Sequence, residues 1–336
     1  MLKKHGIALA AALAMSAFST GSVMAEVTEV RIAHTYALTL LPHYVVLEQK
    51  LIEKHAKELG LGDITVTFTR VNSGQIGNDL LLSGNVDVVG SSVGPLLTAW
   101  DKTTGGQKVK GIIGTALYSS DLYTVDPKIN SLDDYGPNDR IAMTDVKTST
   151  QALILQMKAA KERGWDNRYH YNPLLVSMGS VDALAALISG QTEVKSHMTT
   201  VPFSYLEAQA GARPVFRSKD FFGRMISATL IYSREDFRTE NPKLFEAIVA
   251  AYKEANDFVN NNKKEAAEIY IKHEPQKQGV GFVEELLDQN EAFQFDVNVA
   301  AFKEFADYMH QSGLMRNPIE SWKDVFFDSA EGIDGN

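Results

Sequence analysis

The residues of this chain best suited to chemistry are small, polar and placed where helices begin. Ser73-Gly74-Gln75 and Lys147-Thr148-Ser149-Thr150 each lie between a strand-like run and a helical one. A helix start presents N–H groups without intrahelical partners and a partial positive charge, so it binds anions without a cationic side chain. A plainer role competes, because Ser or Thr at such a position commonly caps the helix. Lys147 is the only cation in these loops, and a charge-assisted bond from it to an anion would be comparatively strong. Ser91 and Ser92 follow a strand, and Gly94 just after them permits close backbone approach. His34 and Tyr36 follow the first strand, where Tyr36 can stack on or hydrogen-bond a ligand. His197 and Thr199 hold the matching place later in the chain, although a lone histidine is more often structural.

The elements that must position these residues show a duplication. Asp79-Leu80-Leu81-Leu82-Ser83-Gly84 runs through Asp87 into Val88-Val89, and Leu184-Ala185-Ala186-Leu187-Ile188-Ser189-Gly190 runs through Glu193 into Val194. Each copy reads as a helix stopped at Ser-Gly that turns through an acidic residue into a strand. Gly84 and Gly190 are expected at helix C-termini with positive φ. Two copies predict two related α/β lobes, and a cleft between lobes is where small ligands bind.

Strand and helix alternate around these units. Val30 to Ala33 reads as a strand, Pro42 to His55 as one helical stretch, and Ile64 to Phe68 as a strand with one covered face. The order restarts after Tyr118, with a strand at Arg140 to Met143 and a helix at Gln151 to Arg163. Residues 226–233 read as a return crossing, and Asn241-Pro242 marks the start of a mostly helical C-terminal region. The expected division is lobe one over 26–120 plus 226–336 and lobe two over 126–222, with crossings near 119–125 and 225–232.

Residues 1–25 stand apart. Lys3 and Lys4 precede a short apolar run from Ile7 to Phe18, and Val23-Met24-Ala25 suits a signal-peptidase cut before Glu26. The expectation is an exported, periplasmic protein cleaved after Ala25. Loss of two lysines and no acids takes the formal charge from −9 to −11. So acidic a chain, without a basic cluster, is unsuited to nucleic acid or an anionic membrane. The chain contains no cysteine, which excludes thiolate zinc sites, cysteine nucleophiles, disulfides and a lipid anchor on cysteine. Ser-His-Asp spacing, Gly-x-x-x-x-Gly-Lys and His-Glu-x-x-His are all missing, so an enzyme is not expected. His34, His43 and His197 lack paired spacing, and neither a metal nor another cofactor is expected.

Taken together, the Val30-Arg31-Ile32-Ala33 strand, the block from Asn72 to Pro95, Ser131-Leu132-Asp133-Asp134-Tyr135, the second Ser-Gly and Pro202-Phe203 are specific in order and spacing. With Ser312-Gly313-Leu314 and Ser321-Trp322, they resemble periplasmic substrate-binding proteins of ABC importers, in the sulfonate, taurine and nitrate branch that is similar also to pyrimidine-precursor binders. The resemblance implies an α/β, two-lobed periplasmic-binding-protein type II fold with a ligand cleft between the lobes and a helical C-terminal region. It implies a monomeric receptor whose partners are a small ligand and a membrane permease, with the loop of His34 and Tyr36 bordering the cleft. One departure stands out. Where family members often carry an aromatic-acidic-Pro run, this chain has His197 and then Thr199-Thr200-Val201-Pro202. The expected ligand is a small polar anion such as a sulfonate or carboxylate, with a neutral pyrimidine-like heterocycle as the alternative and a pyrimidine-forming enzyme a more distant one.

Overall fold

The structure, a computed structural model, describes residues 25–106, 108–275, 277–288 and 291–328, together with 333 and 335. The expected export signal lies outside the described residues but for Ala25. The chain opens with β1 (Glu29–His34), α1 (Leu41–Glu48), α2 (Leu51–Glu58), β2 (Thr65–Arg70), α3 (Gly74–Leu82), β3 (Val88–Ser91), α4 (Val93–Thr103) and β4 (Val109–Tyr118). It continues through β5 (Asp121–Thr124), β6 (Arg140–Met143), α5 (Thr150–Arg163), β7 (Leu175–Ser177), α6 (Ser180–Ser189), β8 (Val194–Thr199), α7 (Phe203–Gln209), β9 (Arg213–Arg217) and α8 (Ser218–Phe222). After the long strand β10 (Ile226–Arg234) come α9 (Glu235–Glu240), α10 (Pro242–Asn261), α11 (Lys263–His273), α12 (Val280–Leu287), β11 (Phe293–Gln294) and α13 (Phe302–Gln311).

These strands form two sheets, ordered β11-β4-β10-β3-β1-β2 and β7-β6-β8-β5-β9. The second repeats the plan of the first. In each, a central strand (β1 or β6) pairs in parallel with the strands on both sides. In each, the next strand along runs antiparallel and has just arrived from the other sheet, β10 in one and β5 in the other. The chain leaves the first sheet after Tyr118, enters the second at Asp121 and returns at Ile226. A strand inside a sheet covered by helices is buried on both faces, and the interior strands β3 and β10 are accordingly buried along nearly their whole length.

The duplicated unit occupies matching places, α3 into β3 and α6 into β8. Gly84 and Gly190 stop the two helices with φ of 73° and 63°, the left-handed conformation that glycine tolerates. The acidic residue of the first copy is structural. Asp87 accepts from the Arg31 backbone N–H at 2.9 Å and from its guanidinium at 2.8 and 3.0 Å, which ties the turn to β1.

Two expectations need correction. Pro42 to His55 is not one helix but two, because Lys50 turns the chain with φ of 51°. The turn lets α2 bury Leu51, Ile52 and Ala56, and α2 packs on α10. Helix α10 does begin at Pro242, but the Asn241 side chain does not cap it. That carboxamide is engaged elsewhere, accepting from Val27 N at 2.8 Å and donating to Phe237 O at 3.0 Å. Glu26 supplies the acceptors instead, taking Lys243 N at 3.0 Å and Leu244 N at 2.8 Å. A carboxylate there also complements the positive end of the helix.

Candidate functional site

Four helices begin at one cleft between the two sheets. Residues at the starts of α3 (Ser73, Gly74, Gln75) and α4 (Ser92, Pro95) line it from the first sheet's side. Residues at the starts of α5 (Thr148, Ser149, Gln151) and α6 (Ser180) line it from the second. The empty volume is about 1160 Å³, counting space open to solvent. Each helix follows a parallel strand, so its first N–H groups face the carboxyl edge of a sheet, and the two edges share the cleft.

Among the expected residues, Tyr36, Ser73, Gly74, Gln75, Ser91, Ser92, Thr148, Ser149 and Thr199 line this wall. Ser73 and Ser149 serve also as N-caps, accepting from Ile76 N at 3.3 Å and Ala152 N at 3.1 Å. The structure does not bring His34, Lys147, Thr150 or His197 to it. His34 is buried among His43, Tyr44 and Phe68, with Nδ1 2.9 Å from the Thr35 carbonyl, and burial pushes its pKa down. Lys147 is exposed outside the wall. Thr150 is buried within the first turn of α5, close to the Tyr118 hydroxyl. His197 lies underneath, with Nδ1 2.5 Å from Oε1 of the fully buried Glu207. Burial raises the Glu207 carboxyl, and the His197 bond offsets this only in part.

Several wall residues were not singled out from sequence. Tyr118 and Thr229 come from β4 and β10, the strands beside the crossings. Phe203 opens α7, and its ring meets that of Tyr36 edge to face at 6.2 Å, so the two sheets' units touch there. Ser180 begins the duplicated helix α6, as Gly74 begins α3. Asp145 carried no signal beyond a turn. Its Oδ1 accepts from the backbone N–H of Lys147 at 3.0 Å, Thr148 at 2.6 Å and Ser149 at 3.2 Å, and from the Thr148 hydroxyl at 3.2 Å. Burial pushes the Asp145 carboxyl up, but these donors outweigh it and hold it below the usual carboxylate range.

The chemistry of the wall is therefore hydroxyl, amide and helix start. Among the described residues lining this cleft, none is Lys, Arg or His. An adjoining outer cavity shares Tyr36, Asn72, Ser73 and Ser180 and adds Arg70, residues 177–179, Val181 and Asp182. The Arg70 guanidinium lies 4.5 Å from the Tyr36 ring centre and donates to Glu274 at 3.0 Å. No group of three or more potential metal ligands occurs among the described residues.

No protein-family model and no curated protein sequence matches the chain. Solved structures do. The alkanesulfonate-binding protein SsuA from Xanthomonas axonopodis pv. citri, bound to MOPS, superposes with a TM-score of 0.68 at 15% identity, over 93% of this chain and 100% of that one. The periplasmic nitrate-binding protein NrtA from Synechocystis PCC 6803 gives 0.70 at 14% identity, over 91% and 89%. A Candida albicans gene product, CA3427, with the generic periplasmic binding protein fold, gives 0.61 at 11% identity, over 92% and 96%. The chain has the fold of ABC-type periplasmic sulfonate- and nitrate-binding proteins.

Proposed function

We propose that this protein is an extracytoplasmic solute receptor that binds a small polar ligand carrying an anionic group and delivers it to an ABC-type permease. The observation that carries the reading is the convergence of four helix starts, two from each sheet, on one cleft. Oriented N–H groups stabilise an anion without a lysine or arginine. Similarity in fold to sulfonate- and nitrate-binding proteins supports it. In this reading residues 26–120 with 226–336 form one lobe and 126–222 the other, and hinge motion at the two crossings closes them on the ligand. Residues 1–25 are an export signal removed after Ala25, and the receptor works as a monomer in the periplasm. The similarity in fold to binding proteins of transport systems supports a binding role over an enzymatic one.

The absence of a cation from the described wall also favours a second reading, a neutral pyrimidine-like heterocycle stacked near Tyr36 and Phe203. Thermal-shift screening against sulfonates, carboxylates, nitrate and pyrimidines separates the two. A ligand present at 100 times its Kd stabilises the fold by about 2.7 kcal/mol. Stabilisation by pyrimidines and by none of the anions would overturn the first reading.

A further inference from the structure

We propose that the cleft opens along one edge only: the second sheet swings about α5, which stays packed on the first sheet's helices, and the Tyr36–Phe203 contact is the gate. The inference deepens the reading of this cleft as a site that closes on a solute, and it rests on that reading. The two faces of the second sheet are joined to the first sheet's unit in different ways. Side chains alternate along β6, so Ile141 and Met143 share one face and Ala142 lies on the other. With Leu153 of α5, Ile141 and Met143 belong to a buried apolar core that continues into the first unit, through Leu97 of α4 and Met309 of α13. Ala142 belongs instead to a small cluster of its own, with Ala183 of α6 and Val194. Helix α7 packs on α6, on that second face.

On the α5 face the contacts between the units are buried. The Tyr308 hydroxyl of α13 donates to Gln156 Oε1 of α5 at 3.1 Å, and the two residues are 5% and 3% exposed. The Tyr308 ring also meets that of Trp165, just past α5, edge to face at 5.6 Å. At the other end of the helix, Thr148 lies against Gly94 of α4 and Thr150 close to the Tyr118 hydroxyl. Helix α13 holds the return crossing too, through Phe305 on Phe222 at 5.4 Å and Glu304 on Arg224. Parting α5 from α4 and α13 would expose core and strand two buried polar groups, and both effects oppose it.

The α7 face is held by less. The Tyr36 and Phe203 rings meet edge to face at 6.2 Å. Beyond them Tyr205 packs on Phe282 at 5.4 Å, and its hydroxyl donates to Glu285 at 2.5 Å in an exposed bond. Such a bond exchanges readily for one to water, so its net contribution is small. Tyr36 and Phe203 line both the cleft and the outer cavity, and therefore stand between the two. Drawing them apart joins the cavities and gives a solute its way in, while the α5 side stays shut.

The chain contains no cysteine, so a pair can be introduced and spin-labelled without background. One pair spans the fixed edge, Lys161→Cys on α5 with Gln311→Cys on α13. The other spans the gate, Ala185→Cys on α6 with Glu268→Cys on α11. All four positions are exposed. The test is pulsed electron-spin distance measurement on the mature protein without added ligand. A single narrow distance is expected for the 161–311 pair, and a broad distribution with a longer component for the 185–268 pair. Phe203→Ala should move the 185–268 population to longer distances and leave the 161–311 distance where it is. A 161–311 distribution as broad as the other overturns the inference but keeps a receptor that opens, now at both edges. Narrow distributions at both edges overturn the inference and the closing receptor with it. A 185–268 distribution that Phe203→Ala leaves unmoved overturns the assignment of the gate.

Discussion

Gly94 and Thr148 stand so close that a β-carbon built on the glycine would lie 2.4 Å from the Thr148 carbonyl oxygen. Gly94 is in the first turn of α4, beside the first sheet, and Thr148 is in the loop before α5, beside the second. The absent side chain therefore sets how near the two halves of the cleft can come. Gly94→Ala places a methyl group against backbone, which cannot rotate out of the way. Overpacking of this kind costs about 1–3 kcal/mol. The expected outcome is a lower melting temperature together with a larger radius of gyration by small-angle X-ray scattering. A variant that keeps both unchanged would show that this contact is not held in solution.

The two helix-stopping glycines make a paired prediction. Neither Gly84 nor Gly190 has an atom within 4 Å of the place where a β-carbon would be, so only the backbone is strained by a substitution. Gly84→Ala and Gly190→Ala should each cost about 1–2 kcal/mol, the penalty of the left-handed conformation for an L-residue. Urea titration of each variant measures it. Because the sites lie in different sheets' units, the double variant should lose the sum.

Beneath the cleft, His197 is the partner that makes a buried Glu207 tolerable. His197→Ala leaves that buried carboxyl without the bond, and leaving a buried acceptor unsatisfied costs about 1–3 kcal/mol. The pH dependence follows from the direction of the Glu207 shift. Its folded pKa is raised by burial, so the folded protein holds this proton to higher pH than the unfolded chain does. That contribution favours folding below the ordinary carboxylate range and is lost as pH rises through the folded value. Without His197 the carboxyl is raised further, and the variant's deficit should be smaller at pH 5 than at pH 8. A deficit equal at the two values in urea unfolding would mean that Glu207 does not titrate with folding.

The parts of this molecule legible in sequence are those that depend on neighbours along the chain. Ser83-Gly84 and Ser189-Gly190 announce helix stops because the left-handed residue is a local requirement, and their recurrence gives the two-sheet plan. The helix starts at Ser73 and Ser149 are legible for the same reason. Asp145 was not, since its role is to fold back on three N–H groups that only the completed turn brings to one oxygen. Lys147 misled in the complementary way. Its backbone joins that turn while its side chain is exposed outside the wall, and sequence position does not separate the two. Tyr118 and Thr229 sit on β4 and β10, whose mutual register shifts at several points. Which face each presents to the cleft therefore cannot be counted from alternation. Glu26 capping α10 joins residues more than 200 positions apart, and nothing local signals it.

Arg70 connects the cleft mouth to the C-terminal helices. Its guanidinium covers the Tyr36 ring and bonds Glu274, which also accepts from the Tyr44 hydroxyl at 2.5 Å. Tyr36 is held from behind as well, its hydroxyl 3.3 Å from that of Tyr270. Arg70→Met keeps an unbranched apolar stem over Tyr36 but removes the charge. Two effects are expected. Glu274 is largely buried, so loss of its cation should destabilise the fold, by about 1–3 kcal/mol for a hydrogen bond to a charged group. Under the anionic reading, an approaching ligand also loses the one positive side chain among the described residues of the outer cavity, which slows association and flattens its dependence on ionic strength. Stopped-flow binding at low and high salt measures the second effect separately from stability. An association rate equal to that of the unaltered protein at low salt would assign Arg70 to holding Tyr36 and Glu274 alone.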